Sequence, residues 1–303
     1  MAPRSQGLSA RAAGELKPRL EAFLAGADPS DRIRFDPVEL PHRYREREDI
    51  EVAALLSASL AYGRADLFKP KLEHLFASMG ASPAGFVRQL DLARARELLG
   101  GFVYRFNVGA DLAVLLFGMQ AALKTHGGLE ALFLEQLGRR STLHQALSGF
   151  TGAIRAGANL VEVRRALGRT RGLDHLLPSP LGPGAAKRLN LFLRWMVRGP
   201  DAVDFGLWKR VSPSLLMIPL DTHIGRISRH LGLTSRKDLS WRTAEEITAS
   251  LRRLDAQDPV RFDFALCHYG MSGACPVRPV RENCKRCPLR RSCRVGRRLQ
   301  GGG

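Results

Sequence analysis

Four cysteines near the C-terminus, Cys275, Cys284, Cys287 and Cys293, follow the pattern C-x8-C-x2-C-x5-C inside an arginine-rich stretch. A loop this polar and rich in proline has no core for thiols to fill. Four soft sulfur ligands suit an iron–sulfur cluster or a structural zinc. Pro276 and Pro288 follow two of these cysteines, a pairing common among iron–sulfur ligands. A two-knuckle zinc site wants a second C-x2-C, and this chain has only Cys284-x2-Cys287, so spacing favours a [4Fe-4S] cluster over zinc. A disulfide pair and chance placement are the remaining readings. Cys267, among helical apolar neighbours, reads as a buried free thiol and the reserve should one of the four ligands be wrong.

Two further segments carry reactive side-chain types. In Met217–Ile227 an apolar run meets Asp221, and a helix follows with Ile224, Ile227 and Leu231 on its buried side. Asp221 is then either a plain N-cap or a carboxylate at a cleft mouth that stabilises a developing cation or deprotonates an attacking group. Upstream, a turn containing Gly182 and Gly184 feeds a basic amphipathic helix bearing Lys187 and Arg188. Exposed amides before a helix make a phosphate seat, although Pro183 removes one donor, and an ordinary helix-start loop accounts for the pattern equally well. Tyr104-Arg105-Phe106 is an unusual trio suited to a cleft wall. Trp195 and Trp208 suit either the core or stacking on a base.

The elements that must position these residues read as helices. Asp49–Tyr62 and Asp111–Leu123 each place acids in the first turn ahead of an apolar run. Ser240–Leu254 repeats the style, and Asp258-Pro259 reads as a cap and first-turn proline opening a helix through Phe264 and Leu266. No alternating strand pattern of any length is present, so the expected class is all-α. A chain of 303 residues with 45 % hydrophobic content can bury one or two cores. Its longest apolar runs are too short to span a bilayer, and residues 1–20 lack an apolar signal region, which together point to a cytoplasmic protein with no membrane role.

The formal charge of +18 calls for an anionic partner, with nucleic acid foremost. Arg outnumbers Lys 39 to 8, which genome composition alone could produce, but the charge is also concentrated. From Cys275 onward nine bases face one acid, Glu282, and residues 185–198 hold four bases and no acid.

Taken in order, these pieces resemble the helix-hairpin-helix DNA glycosylases of the endonuclease III and adenine-glycosylase superfamily. LLSA at Leu55–Ala58 is similar to an early family helix, and Gly182-Pro183-Gly184 stands where the hairpin glycines belong. Leu220-Asp221-Thr222-His223-Ile224 with Arg226 resembles V-D-T-H-V-x-R, which carries the family's essential aspartate. Tyr269-Gly270 then leads into a cysteine loop very like the family's cluster loop. The likeness spans roughly residues 49–62 and 177–293, in the manner of a divergent branch.

The resemblance implies two helical lobes flanking a cleft, a barrel-like lobe over 49–205 and a second lobe from 1–48 plus 206–303 that ends in the metal loop, 275–293. It implies a monomeric, nucleoid-associated enzyme acting on double-stranded DNA, a glycosylase removing a damaged or mismatched base, with or without lyase activity. A non-catalytic iron–sulfur nucleic-acid-binding protein on the same scaffold is the alternative. Asp221 would be catalytic, with Lys187 as a Schiff-base amine. Gly182, Gly184, Arg188, Arg226, Arg278, Arg281, Lys285 and Arg286 would meet DNA. Ser59, with Tyr62 beside it, would enter the gap left by the extruded base. Three departures matter. The first cysteine gap is eight residues, not six. The family's lysine position is Ala186 here, and moving to Lys187 rotates the side chain by about 100°. Lys187 and Asp221 lie 34 residues apart, nearly twice the family separation, with Arg198–Ser214 as an apparent insertion.

Overall fold

Apolar spacing becomes helix almost everywhere. The computed structural model describes residues 7–299, and among these the chain is all-α apart from one small hairpin, Val103–Tyr104 paired antiparallel with Asn107–Val108. No helix among the described residues is long and apolar enough to cross a membrane. The chain divides into two compact units, one comprising Ile33–Gly182 and Gly206–Val211, the other Met1–Arg32, Pro183–Phe205 and Ser212–Gly303. Residues 183–205 therefore group with the C-terminal unit rather than with 49–182, and the reason is electrostatic, as described below.

In the first unit the helices Arg47–Leu60 and Gly109–Thr125 are buried on nearly every face. Helices apolar all round belong to a core. The longer one packs against Leu143–Gly157. Buried within Arg47–Leu60, Glu51 accepts from Arg47 at 3.2 Å and Trp208 Nε1 at 2.9 Å through Oε1, and from the Leu129 amide at 3.1 Å through Oε2. That carboxylate fastens the returning segment Gly206–Val211, and burial raises its pKa despite the three donors. Trp208 is fully buried and stacks on Phe133 at 5.4 Å, so its role is core packing.

The second unit is held by a buried charge network. Arg194, on the helix Lys187–Val197, donates to Asp204 at 3.1 Å and to Asp263, and Arg198 donates to Asp204 at 2.7 Å, Asp258 at 2.8 Å and Asp201. These contacts bind the irregular segment after Val197 to the helix Asp263–Met271. Burial pushes the Asp263 carboxyl up to about 6 even with Arg194 beside it. The network also corrects one expectation. Asp258 does not cap a helix; its Oδ2 accepts from Arg198 at 2.8 Å. Two tight turns, from the Arg261 and Asp263 amides to the Asp258 and Val260 carbonyls, delay the helix start to Asp263. Trp195 is wholly buried in this unit.

Candidate functional site

Asp221 caps a helix with one carboxylate oxygen and turns the other to a lysine. Its Oδ1 accepts from the His223 and Ile224 amides, each at 2.9 Å, capping the helix Thr222–Leu231. Its Oδ2 faces elsewhere, 3.2 Å from Lys187 Nζ and 3.7 Å from Cys267 Sγ. The offset of Lys187 from the family position therefore does not turn it away. Ala186, the residue before the helix Lys187–Val197, adopts a left-handed conformation (φ 46°) that redirects the chain at that step. A non-glycine residue there is strained by about 1–3 kcal/mol, and such strain persists only where surrounding structure imposes it. Gly270 helps bring the partners together, because a Cβ at that position would meet His223 Cβ at 3.0 Å and Ile227 Cδ1 at 3.1 Å. Glycine lets Asp263–Met271, which carries Cys267, lie this close to the helix that Asp221 caps without pushing those neighbours back.

The pair is partly accessible, with the Lys187 side chain 35 % exposed and that of Asp221 16 %. Burial lowers the lysine pKa, but the Asp221 charge, with Cys267 and the hydrogen bond adding to it, outweighs burial and leaves the amine above its ordinary value. Burial likewise raises the Asp221 carboxyl, and the Lys187 charge with the Ile224 amide reverses this, holding it below the usual carboxylate range. The resting state is an ammonium–carboxylate pair, with a thiol on its edge. Cys267 is thus not a spare ligand of the cysteine loop. Nothing in its spacing could reveal this, because its neighbour is 46 residues away.

The four C-terminal cysteines line one cavity together with His230, Ala274 and Pro276. Polar donors surround their sulfurs. The Gly296 amide donates to Cys293 at 3.3 Å and His230 Nδ1 lies 3.6 Å from Cys275, whose thiol burial pushes up while the Arg226 charge pulls it down. Among the described residues no three His, Cys, Asp or Glu side chains converge on a position for a single metal ion. The four cysteines thus border one shared cavity.

Residues assigned to DNA contact divide. Arg278, Arg281, Lys285 and Arg286 are exposed on the cysteine loop, Gly182 and Gly184 are exposed, and Arg188 is half-buried. Neither glycine has the left-handed backbone that would require glycine. Arg226 is a correction. It is 8 % exposed and points inward, donating to the Gly270 carbonyl and His223 Nδ1, each at 3.2 Å. Ser59, in the other unit, is a second correction. At 2 % exposure on an all-round buried helix it presents nothing to a duplex. Tyr62 is half-buried, its hydroxyl donating to Asn107 Oδ1 at 2.6 Å and lying 3.0 Å from the Tyr104 carbonyl.

Comparison with known families matches residues 36–272 to a model described as "Protein of unknown function (DUF2400)". No curated protein and no solved structure matches the chain.

Proposed function

The chain belongs to the DUF2400 family, and we propose that it is a base-excision DNA glycosylase, cutting the glycosidic bond of a damaged or mismatched base in double-stranded DNA. The observation that carries this reading is the half-open Lys187–Asp221 pair. Bond cleavage puts positive charge on the sugar, and a carboxylate held ionised in a partly desolvated site stabilises that charge. Lys187 and two backbone amides keep Asp221 ionised at neutral pH.

The resting ion pair favours hydrolysis. Asp221 accepts a proton from the attacking water, the water oxygen bonds to the sugar carbon, and the base departs with the glycosidic electron pair and takes up a proton. The lyase route needs Lys187 to give its proton to Asp221 first, after which the amine attacks the same carbon. The strongly basic loop beside the cysteines supports a phosphate-rich partner.

The cysteine cavity supports a [4Fe-4S] cluster on Cys275, Cys284, Cys287 and Cys293. A structural zinc on the same thiolates is the alternative. The group would crosslink the loop and stand apart from the chemistry.

Duplexes each carrying one lesion, incubated with purified protein, test the enzyme. Base release by wild type and not by Asp221→Asn is the expected result, and borohydride trapping of a covalent adduct separates the lyase from the hydrolytic route. Tight binding with no release across a broad lesion panel would overturn the glycosylase and leave a non-catalytic binding protein.

A further inference from the structure

The hairpin Val103–Val108 is built with more care than a surface turn requires. Its two-residue loop is Arg105-Phe106, and Arg105 has φ 52°, a conformation for which such loops prefer glycine or asparagine. Strain of this kind is held by surrounding bonds. The Tyr104 hydroxyl donates to the Tyr62 carbonyl, while the Tyr62 hydroxyl reaches back to Asn107. Asn107, fully buried, donates to the Gly172 carbonyl at 2.8 Å and to Asp111 at 3.3 Å. Asp111 in turn accepts from the Val108, Arg171 and Gly172 amides at 2.9, 3.1 and 3.0 Å. Gly63 (φ 79°) leaves the necessary room, because a Cβ there would meet Arg105 Nη1 at 2.7 Å and the Tyr104 hydroxyl at 2.8 Å.

All this holds one large apolar ring in the open. Phe106 is 56 % exposed, yet its ring lies nearly parallel to Tyr62, with centroids 6.4 Å apart and planes 15° apart, and His175 supports it at 5.1 Å. The Arg105 guanidinium sits 5.7 Å from the same ring. Arg169 and Arg171, both exposed, follow on the segment whose backbone Asp111 anchors. A rigid, backed aromatic face beside cationic side chains matches the chemistry of an unpaired nucleobase on its phosphate strand.

We infer that the Arg105-Phe106 tip is a base-stacking element, with Phe106 taking the face of an unpaired or displaced base and Arg105 and Arg171 its flanking phosphates. The inference rests on the nucleic-acid reading above.

The test uses full-length protein and three fluorescein-labelled DNAs: a paired duplex, the same duplex with one abasic gap opposite 2-aminopurine, and a single strand. Phe106→Ala should weaken binding to the gapped duplex and the single strand by roughly 10-fold, in line with the loss of one base–aromatic stack. Its salt dependence should not change, and the 2-aminopurine quenching seen with wild type should disappear. Phe106→Trp should restore both. Arg105→Gln should instead flatten the salt dependence. Equal affinity and equal quenching for wild type and Phe106→Ala would overturn the inference while leaving the glycosylase reading intact. Failure of the wild type to bind any of the three DNAs would overturn both, and base release, assayed separately, reports on the glycosylase alone.

Discussion

Replacing Asp221 with asparagine removes one charge and keeps the atom that caps the helix. Oδ1 makes both amide contacts at 2.9 Å, and an asparagine oxygen can retain them. The change therefore strikes the Oδ2–Lys187 pair at 3.2 Å. At an effective dielectric near 20, two unit charges at that distance attract by about 5 kcal/mol before desolvation is subtracted. The net value is much smaller, since Lys187 is a third exposed and solvent screens it.

Three consequences follow from the sign of each term. Burial lowers the Lys187 pKa and Asp221 is the largest of the groups that raise it, so in Asp221→Asn the amine titrates lower than in the wild type. Base release falls by about 100- to 1,000-fold, the usual loss when a preorganised charge-stabilising group is removed. Stability in urea changes little, whereas Asp221→Ala, which also loses the cap, costs about 1 kcal/mol more. NMR titration of the lysine side chain, a base-release assay and urea unfolding read the three outcomes. Wild-type base release in Asp221→Asn, with only Asp221→Ala impaired, would reduce Asp221 to a helix cap and refute the catalytic assignment.

Further expectations concern the rest of the second unit. Lys187→Met should raise the Asp221 carboxyl, because burial is then opposed only by the Ile224 amide and His223, and move the acidic limb of the pH–activity profile upward. Arg194→Met leaves the buried Asp263 without its arginine, while Asp204 keeps Arg198, and should cost about 3–5 kcal/mol in urea unfolding. Asp263 titrates near 6 in the folded protein and near 3.8 in the unfolded chain, so the native state binds more protons between those values. Its contribution to stability therefore declines as pH rises from about 4 to 6, by about 3 kcal/mol in all. Asp263→Asn should abolish that part of the slope, as unfolding at several pH values would show. Serine at Cys284 or Cys287 should remove iron and acid-labile sulfide from the purified protein, while Cys267→Ser should keep both.

Helix periodicity by itself determined the all-α class, since acidic first turns such as that of Arg47–Leu60 and apolar spacing such as that of Ser240–Leu254 are local signals. The cysteine spacing and the Asp221 cap were legible for the same reason, because each is carried by residues a few positions apart. Tertiary packing decided the remainder. Lys187 reaches Asp221 through a left-handed Ala186 that no propensity announces. Cys267 joins them because Gly270 lets two helices close. Arg226 and Ser59 turn inward because their helices are packed on those faces, and Phe106 stays exposed because bonds from Tyr62, Asn107 and Asp111 hold its hairpin. Each of these outcomes depends on groups distant in sequence meeting in space, and a one-dimensional pattern contains no term for that.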